Sequence, residues 1–436
     1  MSPTFRALRT HNYRLWMSGA IVSNVGTWMQ RVAQDWLVLT VLTDHSAVAL
    51  GITTGLQFAP MLLLAPIAGV LADRMPKRRL LMMTQAAMGS IGLLLGVLVV
   101  TDTVRLWMVY ALAFALGTAA AVDAPARQAF VSEMVPREDL SNAVGLNSAS
   151  FHGARIVGPA LAGLLIALVG TGPVFLLNGA SFLAVIVSLS RMRVRELTPP
   201  PTAARGRGQM RAGLQYVRRR PDLVLVLGLV GMVGTFGLNF QMTTALMATS
   251  VFHKGAGEYG LLGSIMAIGS LSGALLAARR ERPRLRLVVG ATFAFGVFSS
   301  IAAVMPTYPL FAISLVPVGL SALTLMTSAN ATVQLSVSPE MRGRVMALYM
   351  AIFMGGTPLG APIIGWIGAQ FGARWTIGVG GIVALLTGVV AVVWAVGSRR
   401  VVVRYRLRET PHLQIRRPAP ARSEVATDIS QPVPAA

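Results

Sequence analysis

Twelve apolar runs, most of them near the ~20 residues that a helix needs to cross a bilayer, dominate this chain and leave little between them. They fall at Leu15–Leu42, Ala47–Ala72, Leu80–Thr101, Leu106–Ala124, Asn142–Val169, Val174–Ser190, Leu223–Thr249, Tyr259–Ala278, Leu287–Met305, Leu310–Ala331, Val345–Phe371 and Trp375–Val396. Only 12% of the 436 residues are charged, against about 25% in ordinary soluble domains. The expected fold class is therefore an all-α membrane protein of twelve transmembrane helices. Its first run follows a short polar lead, Met1–Tyr13, and is too long for the core of a cleaved signal peptide, so it reads as a retained span.

The net charge of +22 invites a nucleic-acid reading, because a basic surface is the footprint of phosphate binding. The position of the cations argues otherwise. They cluster between the apolar runs, and all but Lys77 and Lys254 are arginine, a skew that reads as genomic composition bias. Cations accumulate on cytoplasmic loops. With the N-terminus inside, the outer loops hold only Arg105, Lys254 and Arg374, and two cations, Arg31 and Arg155, fall within spans. Both termini are then cytoplasmic, in a multi-pass membrane protein. The chain has no Cys, which removes disulfides and thiolate metal sites, and its five histidines form no HExxH pattern. No cofactor, metal or nucleic acid is expected.

The longest connection carries Pro199-Pro200-Pro201 and nine arginines between the sixth and seventh runs. It divides the chain into a six-helix bundle at 1–190, a cytoplasmic linker at 191–221 and a second six-helix bundle at 222–397. A tail at 398–436 mixes Arg with Pro, Ser and Ala and suggests disorder; its arginines either touch anionic lipid or act as stop-transfer charges. An internal repeat supports the division. Val135-Pro136-Arg137-Glu138 precedes the helix of Gly158-Pro159, as Ser338-Pro339-Glu340-Met341 precedes that of Ala361-Pro362, and both proline pairs lie 203 residues apart. Secondary transporters use such parallel repeats, with the substrate site between the halves near the bilayer midplane.

The first span holds residues that lipid does not tolerate. Asn24, Thr27, Arg31, Gln34 and Asp35 recur at intervals of three and four and form one polar stripe. Each of the two charges costs several kcal/mol in hydrocarbon, so the stripe requires a protein-lined, wet cavity. Arg31 and Asp35, four apart, can pair. Burial favours a neutral carboxyl and a neighbouring guanidinium favours its ion. Asp35 caught between the two either exchanges protons as its surroundings change or forms a static pair that fixes helix packing. In the fifth span Ser148, His152 and Arg155 share helical spacing. Arg155 faces Asp35 or Asp123, to bind an anionic cargo group, to tune a proton-carrying acid, or as permanent inter-helix glue; His152 reads first as a packing residue. In the seventh span Gly228, Gly231, Gly234 and Gly237 recur every third residue, as close helix packing requires. Asn239 and Gln241 follow as cavity candidates.

The loop Gly69-Val70-Leu71-Ala72-Asp73-Arg74-Met75-Pro76-Lys77-Arg78-Arg79 resembles the signature loop of the major facilitator superfamily, with Pro76 in place of its second glycine. Gly26-Thr27-Trp28-Met29-Gln30-Arg31-Val32-Ala33-Gln34-Asp35-Trp36 and the stretch from Asp123-Ala124-Pro125-Ala126-Arg127-Gln128 to Gly163 resemble its drug:proton antiporter and enterobactin-exporter branch. Within the latter, Gly153, Gly158, Pro159 and Gly163 are similar to the antiporter signature of the fifth helix. The resemblance implies the major facilitator fold over residues 10–397, a cytoplasmic gate at Gly69, Asp73, Arg74, Arg78, Asp123 and Arg127, and action as a monomer.

The expected function is secondary active transport, with proton-coupled efflux of an amphipathic small molecule, such as a drug or siderophore, by alternating access. Asp35, Arg31 and Arg155 are the coupling candidates; Asn24, Trp28, Gln34, Trp36, His152, Asn239 and Gln241 are expected in the substrate cavity. An importer or facilitator of a small anionic solute is the alternative, and a non-transporting membrane sensor or scaffold a third reading. An intramembrane enzyme lacks support, since no HExxH, GxSxG or paired-aspartate motif occurs.

Overall fold

A computed structural model describes residues 3–198, 209–278, 285–397, 402–405 and 413–416. In the first half, α1 (His11–Trp36) is followed by α2 (Ala47–Leu63), α3 (Ala65–Arg74), α4 (Lys77–Val100), α5 (Leu106–Met134), α6 (Leu140–Val169) and α7 (Thr171–Ser190). The connecting segment holds α8 (Gln209–Arg218). The second half comprises α9 (Pro221–Phe236), α10 (Phe240–Leu246), α11 (Ala256–Ala278), α12 (Leu285–Val304), α13 (Tyr308–Ser336), α14 (Pro339–Phe371) and α15 (Ala373–Gly397). Ten spans among the described residues are long and apolar enough to cross a membrane, and the bent α2–α3 pair makes eleven. The first helix, α1, runs for 26 residues but is not among them. Its polar stripe lowers its apolarity, so the expected twelve rests on counting a helix that lipid alone would reject.

Two of the expected spans are broken. The second run bends by 59° between α2 and α3, where Pro66, in the first turn of α3, has no amide hydrogen to donate. The seventh run stops at Phe236 and restarts at Phe240. There Asn239 Nδ2 donates to the Thr235 carbonyl at 2.7 Å and replaces a backbone donor that the break removes.

The duplication read from the prolines recurs in the backbone. Helix α1 ends in a π-helical turn, Leu37–Leu42, before His45 at φ 53°; α10 ends in another, Met247–Val251, before His253 at φ 49°. Helices α6 and α14 both stop at a glycine with positive φ, Gly170 (80°) and Gly372 (95°), where a side chain would strain the turn.

Residues Met1–Gly388 form one compact unit. Buried Tyr13, Trp16, Leu81, Phe130 and Leu189 fill a core at the arginine-rich end of the first half, and Tyr13 donates to the Ala143 carbonyl at 2.7 Å. Large apolar side chains such as Leu168, Val304 and Trp107 remain exposed, as a surface solvated by lipid tails allows. The halves meet at two matching seams. In one, α2 lies on α14: a methyl on Gly51 would sit 2.5 Å from the Ala361 carbonyl oxygen, and one on Gly365 2.5 Å from that of Ala47. In the other, α6 lies on α11: a methyl on Gly163 would sit 2.5 Å from the Ala256 oxygen, one on Gly260 would strike that of Pro159, and Ser264 Oγ donates to Ile156 at 2.5 Å. Backbones approach this closely only where small residues line both helices. Both seams lie toward the ends of these helices away from the arginine-rich loops.

At the arginine-rich end several polar contacts among the described residues lie within one half. Lys77 pairs with Glu133 at 2.8 Å, Arg6 with Asp139, and Asn12 exchanges two hydrogen bonds with the Arg193 backbone, all in the first half. In the second, Arg220 grips Asp222 at 2.7 and 3.0 Å and reaches the Ser336 carbonyl. The linker thus contains structure where α8 packs its Gly213 against Arg344; Pro199-Pro200-Pro201 lies outside the described residues. Val389–Ala436 forms a separate small unit. Within it β1 (Val402–Tyr405) pairs antiparallel with β2 (Leu413–Arg416), where the sequence suggests disorder. Its consecutive valines favour strand over coil. The rest of 398–436 lies outside the described residues.

Candidate functional site

Asp35 is 4% exposed and sits in a cavity between the halves. The cavity measures about 180 Å³, roughly ten times what one water needs. Helices α1, α2 and α6 line one side; the α9–α10 break, α11 and Thr357 of α14 line the other. The stripe on α1 therefore faces protein and not lipid, as its charges demand.

Asp35 is held from the opposite half. Tyr259, at the start of α11 and itself buried, donates its hydroxyl to Asp35 Oδ2 at 2.8 Å. The Gln241 side chain also hydrogen-bonds the carboxylate, and Trp36 stacks on the Tyr259 ring at 6.4 Å. Hydrogen bonds to an ionised acceptor are roughly twice as strong as neutral ones, so this link is a substantial polar tie across the cavity.

The two guanidiniums take a different course. Arg31 does not close an ion pair on Asp35; its guanidinium lies 4.9 Å from the Trp28 ring centre and 5.4 Å from that of Phe58, and its Nε is buried without a hydrogen-bond partner. Arg155 lies 5.6 Å from the same Trp28 ring and reaches neither Asp35 nor Asp123 as an ion pair. Spacing alone favours an Arg31–Asp35 pair, but Tyr259 and Gln241 occupy the carboxylate.

Of the expected cavity residues, Trp28, Arg31, Asp35, Arg155, Asn239 and Gln241 line it. Four do not. Gln34 is buried and donates to Gln57 at 3.3 Å, Asn24 donates to Ser150 at 3.3 Å, His152 meets the Phe151 ring edge-on at 5.8 Å, and Trp36 acts through Tyr259. Sequence reasoning missed Tyr259, Gln57 and Phe58, which also line the space. Gln57, an amide inside an apolar run, was the available signal.

The expected gate divides. Asp123, buried, accepts from Thr84 Oγ1 at 2.7 Å, Gln85 Nε2 at 2.8 Å and Arg127 Nε at 2.9 Å, while Arg127 lies 5.2 Å from the Trp16 ring centre. Arg78 donates to the Leu189 carbonyl at 2.6 Å. All these partners belong to the first half. Gly69 is half-buried in α3, and Asp73 and Arg74 are exposed at its end. The antiporter-like glycines serve separate contacts: Gly158 admits Trp28, Gly163 forms the α6–α11 seam, Pro159 lines the cavity, and Gly153 faces open space.

A profile of the transmembrane secretion effector family, part of the major facilitator superfamily, matches residues 2–405. The chain belongs to this family. It is 23% identical to the staphyloferrin A transporter of Staphylococcus aureus over 85% of its own length and 92% of the relative's. It is 27% identical to the multidrug efflux pump Tap of Mycolicibacterium fortuitum (86% and 93%), and 26% identical to the enterobactin exporter EntS of Citrobacter koseri (76% and 79%). Among solved structures, the fold matches a bacterial homolog of the human lysosomal transporter Spinster in an inward-facing, unoccupied conformation, with TM-score 0.64 at 16% identity over 91% of this chain and 96% of that one. It also matches a POT family transporter in complex with a thioalcohol-conjugated peptide, with TM-score 0.69 at 10% identity over 88% and 96%. The fold is that of a major facilitator, and the protein is a multi-pass membrane transporter of a family with efflux-type members, not an enzyme.

Proposed function

We propose that the chain is a secondary exporter of the bacterial inner membrane, with both termini in the cytoplasm, that expels an amphipathic small molecule in exchange for protons. It works as a monomer whose halves rock about the cavity. The observation that carries this reading is the buried Asp35 hydrogen-bonded across the cavity by Tyr259. A carboxyl placed at the junction of two moving bodies changes environment as they move, and its proton affinity follows. Asp35 is the proton carrier, Arg31 adjusts it through its charge one turn away, and Arg155 is the second cavity cation. Glycine seams toward one end, and the Lys77–Glu133 and Arg220–Asp222 pairs within one half or the other at the opposite end, support an inward-open state in this orientation.

The test is expression in an efflux-deficient bacterium, scored by fluorescent-dye efflux and drug resistance, with siderophore release under iron limitation in the same screen. Efflux is expected to vanish with a protonophore and in Asp35→Asn. Proton-coupled efflux that survives Asp35→Asn would refute the coupling role. The two cavity guanidiniums, neither closed in an ion pair among the described residues, favour one second reading, uptake of a small anion. Accumulation inside right-side-out vesicles, instead of extrusion, would identify it.

A further inference from the structure

The ionisable side chains lining the cavity are Arg31, Asp35, Arg155 and Tyr259. Asp35 already accepts from Tyr259 and Gln241. Arg31 Nε is buried with no acceptor, and the contact described for Arg155 in the cavity is the Trp28 ring. A guanidinium presents five N–H donors in a planar fork, and cargo that displaces water from them without supplying acceptors leaves them unmatched at a cost. Both cations rest on Trp28, so their separation cannot exceed the sum of 4.9 and 5.6 Å. A contact with an aromatic ring supplies no oxygen acceptor to the N–H edge of a guanidinium. That edge matches a carboxylate with two parallel hydrogen bonds. Phe58, Phe240 and Met266 supply apolar wall beside it.

We infer that the cavity selects cargo carrying a carboxylate-type anion on an apolar, ring-bearing body, with the anion held by Arg155 and Arg31 beside Trp28. This names the cargo class of the site described above and rests on the transport reading for its purpose. Cationic cargo meets two guanidiniums and one acid already satisfied. Neutral cargo leaves the donor edges unmatched.

Three probes of one shape test this: 2-naphthylacetate, 2-naphthylacetamide and 2-naphthylethylammonium, titrated calorimetrically into the purified full-length protein. The acetate is expected to bind at least tenfold more tightly than the other two. Arg155→Gln is expected to lower acetate affinity tenfold or more while changing amide affinity less than twofold, and Arg155→Lys to retain part of the preference. Asp35→Asn removes the opposing charge and is expected to tighten acetate binding. Thermal unfolding checks that each variant folds. Binding of the ammonium as tightly as the acetate, no binding by any probe, or an acetate preference that survives both Arg155→Gln and Arg31→Gln would overturn the inference. Acetate preference without proton-driven movement of the anion in proteoliposomes would sink the transport reading and leave this one standing. Proton-driven efflux with no acetate preference would do the reverse.

Discussion

Removing one oxygen atom tests whether the bond between Tyr259 and Asp35 holds the halves in the observed arrangement. In Tyr259→Phe the ring and its stacking on Trp36 remain, and only the 2.8 Å hydrogen bond is lost. A hydrogen bond to a charged group contributes about 1.5–3 kcal/mol in soluble proteins, whereas polar pairs between membrane helices average about 0.6 and reach about 1.7 kcal/mol. Asp35 keeps Gln241 as a donor, so we take ~1–2 kcal/mol, a factor of roughly 5–30 in an equilibrium. If the bond exists only when the outer ends are closed, the odds of the outward-open state rise by that factor. The chain has no Cys, so paired spin labels can be placed in an otherwise unaltered protein. Thr103 and Thr307 are exposed at equivalent points of the two halves, in the loops after α4 and α12. Labels at these sites report, by pulsed electron resonance, the separation of the helix ends away from the arginine-rich loops, the outer ends in the proposed orientation. Asp35→Asn retains an oxygen acceptor for Tyr259 but no charge, so it is expected to shift the odds by a smaller factor. A distance distribution in Tyr259→Phe that matches the parent within twofold in its populations, in protein that unfolds at the parent temperature, would refute the reasoning.

Two other substitutions probe the frame around the site. Gly260→Val places side-chain carbon against the Pro159 carbonyl, so the same labels should report outer ends held apart, and transport should cease with membrane insertion normal. Asp123→Ala strands Thr84, Gln85 and Arg127, and breaking this largely buried pair is expected to cost about 3 kcal/mol. The check is a lower unfolding temperature in detergent, with Asp123→Asn recovering part of the loss.

How much of this was legible depended on whether the signal lay in one helix or between two. The stripe on α1 was readable because Asn24, Arg31 and Asp35 violate the solvent of their own helix, and a violation needs no partner to be seen. The seam glycines were less so. Gly163 stood within a recognisable motif, but Gly51 and Gly365 are two of 44 glycines, and only their mutual approach distinguishes them. Tyr259 was hidden because a tyrosine at the head of an apolar run reads as an interfacial anchor. Its partner lies 224 residues away. The α9–α10 break escaped for a related reason: Gly237 and Leu238 fit an apolar helix locally, and Asn239 reveals its role only when its amide is seen on the Thr235 carbonyl. The gate set was legible only as a motif: that Asp123, Arg127 and Arg78 take their described partners from the first half could not be read from it.

The contacts that join the halves are of two kinds, and their difference bears on how two states can be near in energy. At the seams, backbone lies on backbone through Gly51, Gly365, Gly163 and Gly260. Separating such surfaces costs packing, which lipid tails partly restore. At the cavity the main tie described is the hydroxyl of Tyr259 on the carboxylate of Asp35, and there the cost of separation depends on the charge of the acid and on what else can donate to it. A cargo anion on Arg155 and Arg31 alters the field at that carboxylate without touching it, and a proton on Asp35 weakens the tie by removing the charge that strengthens it. On the proposed mechanism, cargo and proton thus act on one bond, the anion through its field and the proton directly. A ligand shifts a conformational equilibrium only by its differential affinity for the two states, and on the proposed mechanism this bond is the shared element through which both species exert one.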